Sequence, residues 1–155
     1  MNPESVDWTG IPGPRWYQPD EVADAFKALI RTTQADDDQG GGIRSVVGND
    51  HAGTLYPAAV AGTDVLLHII ATCPGPPRNA ALWVLLDWWG CFQPEPGFES
   101  YIDQDGHRVK VIPAIIERVE QAPDIMCVIG EHDTSARGLV RRLLRNLERG
   151  WVLEK

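Results

Sequence analysis

Two segments of the 155-residue chain repeat one another. A repeat is a strong constraint: each copy folds as the same supersecondary unit and buries its apolar face against its neighbour. Tyr56-Pro57-Ala58-Ala59 matches Ile112-Pro113-Ala114-Ile115, with Pro113 standing 56 positions after Pro57. An arginine follows each proline, just ahead of an apolar helix. Arg78 opens Arg78-Asn-Ala-Ala-Leu82, and Arg137 opens Arg137-Gly-Leu-Val140. The gaps of 21 and 24 residues require a small insertion in the second copy. Both copies then read as helix, Pro- or Asp-rich turn, Arg, helix.

Periodicity fills in the remaining elements. A first helix is expected from Pro19, with Asp20 and Glu21 in its first turn and Val22, Phe26, Leu29 and Ile30 along one stripe, ending near Thr33. Residues 35–42 carry three aspartates and three glycines and read as a flexible acidic loop. A second helix is expected over Thr54–Thr72, although Val65–Ala71 alone also fits a buried strand. The run Cys73-Pro-Gly-Pro-Pro77 stops it. A third helix, from Arg78 or Asn79 to Trp89, ends at Gly90 as an αL cap. Apolar residues surround most of its circumference, so it is either central in the core or covered by a partner. Residues 91–108 contain Gln-Pro-Glu-Pro-Gly and Asp-Gln-Asp-Gly and read as a long excursion. A fourth helix over Val109–Gln121 ends at Ala122-Pro123, a short helix or turn begins at Asp124, and Ala136–Glu148 is strongly amphipathic. Residues 1–18, with Trp8, Trp16, Tyr17 and Gly-Ile-Pro-Gly-Pro, form an N-terminal arm or tail.

Length and composition suit a single domain over 19–155. The longest uninterrupted apolar run, Ala80–Leu86, is far short of the roughly 18 residues a membrane span needs. The opening residues carry acid where a secretory signal would carry base. Cys73, Cys91 and Cys127 therefore read as reduced thiols, and a cytoplasmic location is expected.

The repeat resembles the HEAT-like α-solenoid unit, in which two antiparallel helices are joined by a Pro- or Asp-bearing turn and the second helix opens with Arg. Asp133-Thr-Ser-Ala-Arg137-Gly-Leu-Val-Arg-Arg-Leu-Leu144 is the closer match, and Gly53-Thr-Leu-Tyr-Pro-Ala-Ala59 is similar to an element of small bacterial HEAT-like proteins. The resemblance covers units at about 54–90 and 109–148. It implies an all-α fold, a short right-handed solenoid of about five to seven helices in antiparallel pairs. The 18-residue insert at 91–108 and Gly138 inside the last helix depart from it.

Catalytic chemistry has no positive signal. His51, His68, His107 and His132 show no His-x-x-x-His, and the cysteines show no Cys-x-x-Cys, so no metal site is expected. His51 reads as a loop histidine capping the next helix and His68 as a core or boundary residue. Asp103-Gln-Asp-Gly106 matches part of a calcium loop, but Tyr101 and Ile112 would fill its first and twelfth positions, so it reads as a turn. Phosphate-loop, nucleophile-elbow and dinucleotide motifs are absent from the sequence. The expectation is a chain that is not an enzyme and carries no cofactor.

Charge is more informative. The net charge is −8, while Arg137, Arg141, Arg142, Arg145 and Arg149 against Glu148 give the last helix +4 and leave −12 elsewhere. The arginine stripe reads as a solvated face turned toward the chain's own acidic loops, and the acidic remainder disfavours nucleic acid. Acid concentrates at Asp36, Asp37, Asp38, Glu95, Glu99, Asp103 and Asp105, near Trp88, Phe92, Phe98 and Tyr101. Aromatic anchors beside an acidic rim suit a protein-binding patch for a basic partner. Trp83, Trp88 and Trp89 are also candidates for the core. In size, charge and expected fold the chain is similar to bacterial immunity proteins, which implies a non-enzymatic inhibitor of a cognate, often nuclease-like, toxin. The alternatives are a HEAT-like scaffold for another protein, or an enzyme or nucleic-acid module using Asp50, His51 or the arginine stripe.

Overall fold

The computed structural model describes residues 2–33 and 41–151. Over these the chain is mostly helical, with seven α-helices and a few short strands. Residues of the N-terminal arm pack on α1 (Pro19–Ile30): Trp8 is buried and stacks on Phe26 at 5.8 Å, and its indole N–H donates to the Pro3 carbonyl. Pro19 opens α1 as expected, and Val22, Phe26 and Leu29 are buried. Ile30 is not part of the buried stripe but is exposed. Next come α2 (Gly41–Val46), the antiparallel pair β1 (Gly48–Asn49) and β2 (Thr54–Leu55), and α3 (Ala58–Thr72).

The centre of the molecule is the pair α3 and α4 (Pro76–Trp88). The run Val65–Ala71 is helical, and Val65, Leu66, Ile69 and Ile70 are all buried. The apolar circumference of α4 follows from its central position: Leu82, Val84, Leu85 and Trp88 are buried on different sides of it. Gly90 adopts a φ of 76°, the left-handed geometry expected of a helix-stopping glycine.

The insert at 91–108 corrects the expectation of an all-α chain. Gln93–Pro94 forms β3, which adds to β2 in parallel, with Gln93 N–H donating to the Gly53 carbonyl at 2.8 Å. Ser100–Ile102 (β4) and Arg108–Lys110 (β5) form a hairpin. Prolines and glycines deny this stretch a helix, so its backbone amides pair as short ladders instead. Thr54 and Leu55, read as the start of a helix, are strand for the same reason: Pro57 places the helix start after them. The chain then runs through α5 (Val111–Glu120), α6 (Pro123–His132) and α7 (Arg137–Arg149).

Contacts between the two halves recur at a nearly constant sequence offset. Asp64 of α3 pairs with Arg118 of α5, and Arg78 of α4 pairs with Asp133 after α6. Asn79 donates to Ser135, Arg142 lies 5.1 Å over the Trp83 ring, and Trp89 donates to the Asn146 carbonyl. These pairs run in the same order along α4 and α7, so the two helices lie side by side and parallel. The segment α5–α6 occupies the place of α3, broken where Ala122-Pro123 removes a helical N–H.

The two arginines marked by the repeat do the same job. Arg78 Nε donates to the Ile70 carbonyl at 2.6 Å, and its Nη2 to the Ala71 carbonyl at 3.4 Å. Arg137 Nε donates to the Gly130 carbonyl at 2.7 Å, and its Nη2 to the Glu131 carbonyl at 3.0 Å. Each closes the carbonyl end of the preceding helix, where backbone acceptors lack intrahelical partners. Asp133 completes the second turn by accepting from the amides of Ser135 and Ala136.

Candidate functional site

An open cleft of about 490 Å³ lies between the N-terminal arm and the β4–β5 hairpin. Its acidic groups come from three parts of the chain: Asp7 from the arm, Asp64 from α3, and Asp103 and Asp105 from the hairpin turn. Arg118 of α5 is the single guanidinium among them and is taken by Asp64 at 3.0 Å. Apolar surface lies between the charges, from Ile11, Tyr101 and Ile102, the last 53% exposed.

Each wall has a local cause. Asp7 caps the 3₁₀ turn Trp8–Gly10, and acceptance from the Thr9 hydroxyl and then the Gly10 amide holds its carboxyl below the usual range. The hairpin register sets Tyr101 opposite Val109 and Ile102 opposite Arg108. Asp103 Oδ1 accepts from the amides of Asp105 and His107, an Asx-type closure of the turn that leaves Asp105 exposed. Burial raises the Tyr101 phenol, Arg118 opposes that, and Asp103 and Asp64 add to it. The cleft is thus negative at neutral pH and keeps the phenol protonated.

Ligand atoms of Asp103, Asp105 and His107 lie within 4.8 Å of one another at the hairpin tip. Asp105 and His107 stand exposed to solvent, and one Asp103 oxygen is spent on the turn, so this group reads as turn chemistry.

The expected binding residues separate into groups. Tyr101, Asp103 and Asp105 meet in the cleft. Glu95, Phe98 and Glu99 sit in the β3–β4 connection. Glu95 is half-buried and accepts from the Thr54 hydroxyl, whereas Glu99 is exposed and held below the usual carboxylate range by its own and the Gly97 amide. Trp88 and Phe92 are corrections: both are buried, Trp88 completely, because the inward faces of α4 and its exit need large apolar groups to fill the core. Trp89 is core as well, its ring 5.0 Å from Trp151. Asp36, Asp37 and Asp38 lie outside the described residues.

Other expectations also change. His68 is exposed on α3 rather than at the core boundary, and His51 is exposed in the β1–β2 turn. Among the described residues, no ion pair joins Arg141, Arg145 or Arg149 to an acid, and all three side chains are exposed. Asp7, Asp64 and Ile102 were missed as site residues. Asp64 carried one available signal, since Arg118 follows it by nearly the repeat offset.

No helix of the described residues is long and apolar enough to cross a membrane. Comparison of the chain with protein-family models, with curated proteins and with solved structures finds no match.

Proposed function

We propose that this chain is a non-enzymatic protein-binding module on a HEAT-like helical scaffold, of the immunity type, which neutralises a basic, nuclease-like bacterial toxin in the cytoplasm. The observation that carries the reading is the cleft, with four carboxylates against one guanidinium around exposed apolar surface. A field of one sign in a concave wall attracts and orients an oppositely charged partner, while Ile102 and Tyr101 offer desolvated contact. The parallel packing of α4 on α7, and the matched closure of two helix ends by Arg78 and Arg137, support the repeat scaffold.

The test is neutralisation. The tagged chain should retain one basic protein from its native host at near 1:1 stoichiometry, and that protein should arrest growth when expressed alone. Co-expression of this chain should restore growth. The variant with Asp103→Asn and Asp105→Asn should restore it only at higher expression, because association slows about tenfold at low ionic strength. The carboxamide introduced by Asp103→Asn keeps an oxygen that can close the turn, so folding is preserved. A retained protein that is harmless alone would defeat the inhibitor reading.

A further inference from the structure

The two sides of α7 differ in kind. Val140 and Leu143 are buried and Leu139, Leu144 and Leu147 pack beside them, whereas Arg141, Arg145 and Arg149 stand exposed at successive steps of four. At a rise of about 1.5 Å per residue, such steps set the three positions about 6 Å apart along one ridge. Arg142, also exposed, lies over the Trp83 ring, and Glu148 is the single acid on the helix. Among the described residues, none of these four arginines is held in an ion pair.

The cleft has the opposite imbalance. Arg118 is taken by Asp64, so Asp7, Asp103 and Asp105 have no Lys or Arg partner among the described residues. No residue of α7 lines the cleft, so stripe and cleft are separate surfaces of one chain and a second copy brings them together. The net charge of −8 does not forbid this. At about 0.1 M salt a field decays over roughly 10 Å, so like charge spread over two whole chains is screened while groups in contact are not. A phosphate polymer carries its charge along its whole length and meets the acidic remainder of the chain beyond the stripe, whereas a second copy offers its acid in one concave patch.

We infer that the arginine face of α7 docks in the acidic cleft of a second copy, so that the free chain covers its own capture site until a basic partner displaces the stripe. The contact is head-to-tail: each copy gives a stripe to one neighbour and a cleft to another, so assembly is not limited to two copies. Exposed ion pairs are individually weak, which keeps the contact reversible and lets a tighter basic partner win. The covering of the cleft, though not the contact itself, rests on the reading of the cleft as a capture site for a basic protein.

Sedimentation velocity of the full chain over rising concentration reads the contact. At about 0.1 M salt the weight-average sedimentation coefficient should climb with concentration, and at about 1 M, where screening acts within roughly 3 Å, it should hold the monomer value. Arg141→Gln with Arg145→Gln removes the stripe, and Asp103→Asn with Asp105→Asn removes the cleft charge. Both arginines are exposed, so the thermal midpoint of the stripe variant should match the wild type. Each variant alone should associate at least about tenfold more weakly than the wild type. Their equimolar mixture should form a dimer and stop there, because it holds one intact stripe and one intact cleft. A short oligolysine peptide should return the wild type to monomer.

A wild type that stays monomeric at every concentration would overturn the contact and leave the cleft's capture of a basic protein standing. Binding of a single-stranded oligonucleotide at Arg141 and Arg145 by that monomer would assign the stripe to phosphate instead. A mixture no larger than its separate components would overturn the head-to-tail geometry. Assembly that oligolysine leaves intact would overturn the covering of the cleft, and failure of oligolysine to bind the stripe variant would overturn the cleft reading itself.

Discussion

Replacing Arg78 with Ala should destabilise the chain by about 3 kcal/mol, read from the midpoint and slope of denaturant unfolding. The guanidinium is nearly buried, closes two carbonyls at the end of α3, and carries the only ion pair among the described residues that joins α4 to the turn ahead of α7. Removing it strands the two acceptors and takes from the Asp133 carboxylate its guanidinium partner. Arg78→Lys should recover only part of the loss, since an ammonium cannot serve three directions with a planar fork. Arg137→Ala should cost about 1 kcal/mol, because Arg137 closes carbonyls without a carboxylate to abandon. A cost under about 1 kcal/mol at Arg78 would mean that water replaces it freely. Acid should act through the same pair. The Arg78 hydrogen bond holds the Asp133 carboxyl below its unfolded value of 3.8, so the stabilisation is complete above that pH. It fades as pH falls through the depressed folded value, and the stability gap between wild type and Asp133→Asn should narrow there.

Trp88→Ala should cost about 4 kcal/mol, a loss large enough to unfold a marginal domain. Trp88 has no solvent exposure, and its deletion leaves a void between α4 and its neighbours that a close-packed core closes only in part. Trp88→Phe should cost far less. Among the described residues the buried indole N–H has no acceptor, so removing it relieves a desolvation penalty that offsets part of the lost volume. Thermal unfolding of both variants checks the contrast. If Trp88→Ala kept full stability and lost partner binding instead, the residue would be a surface anchor, contrary to its position in the core.

The helices were largely legible because their signals are local. Pro19, the run from Cys73 to Pro77, Gly90 and Ala122-Pro123 each act on the backbone within one turn, and they mark ends that the fold respects to within a few residues. Repeat logic also identified Arg78 and Arg137, since one residue type must close the same helix end in both units. The strands of the insert were not legible. Gln93–Pro94 is a strand only because Thr54–Leu55 presents a free edge beside it, a contact about 40 residues away in sequence. The site was half legible for a similar reason. Asp103 and Asp105 announce an acidic turn, but Asp7 and Asp64 join them only after the arm folds over α1 and the hairpin over α3 and α5. Trp88 shows the converse: an aromatic near an acidic loop in sequence can face inward when its helix is surrounded on all sides.

The acidic cleft as the capture site for a basic partner is tested most directly by one kinetic measurement. The association rate of the purified partner is followed across ionic strength, for the wild type and for the chain with Asp103→Asn and Asp105→Asn. The wild-type rate should fall steeply with salt, the variant rate should be lower at low salt and fall less, and the dissociation rates should agree. Association rates that coincide for the two chains at every ionic strength would contradict it.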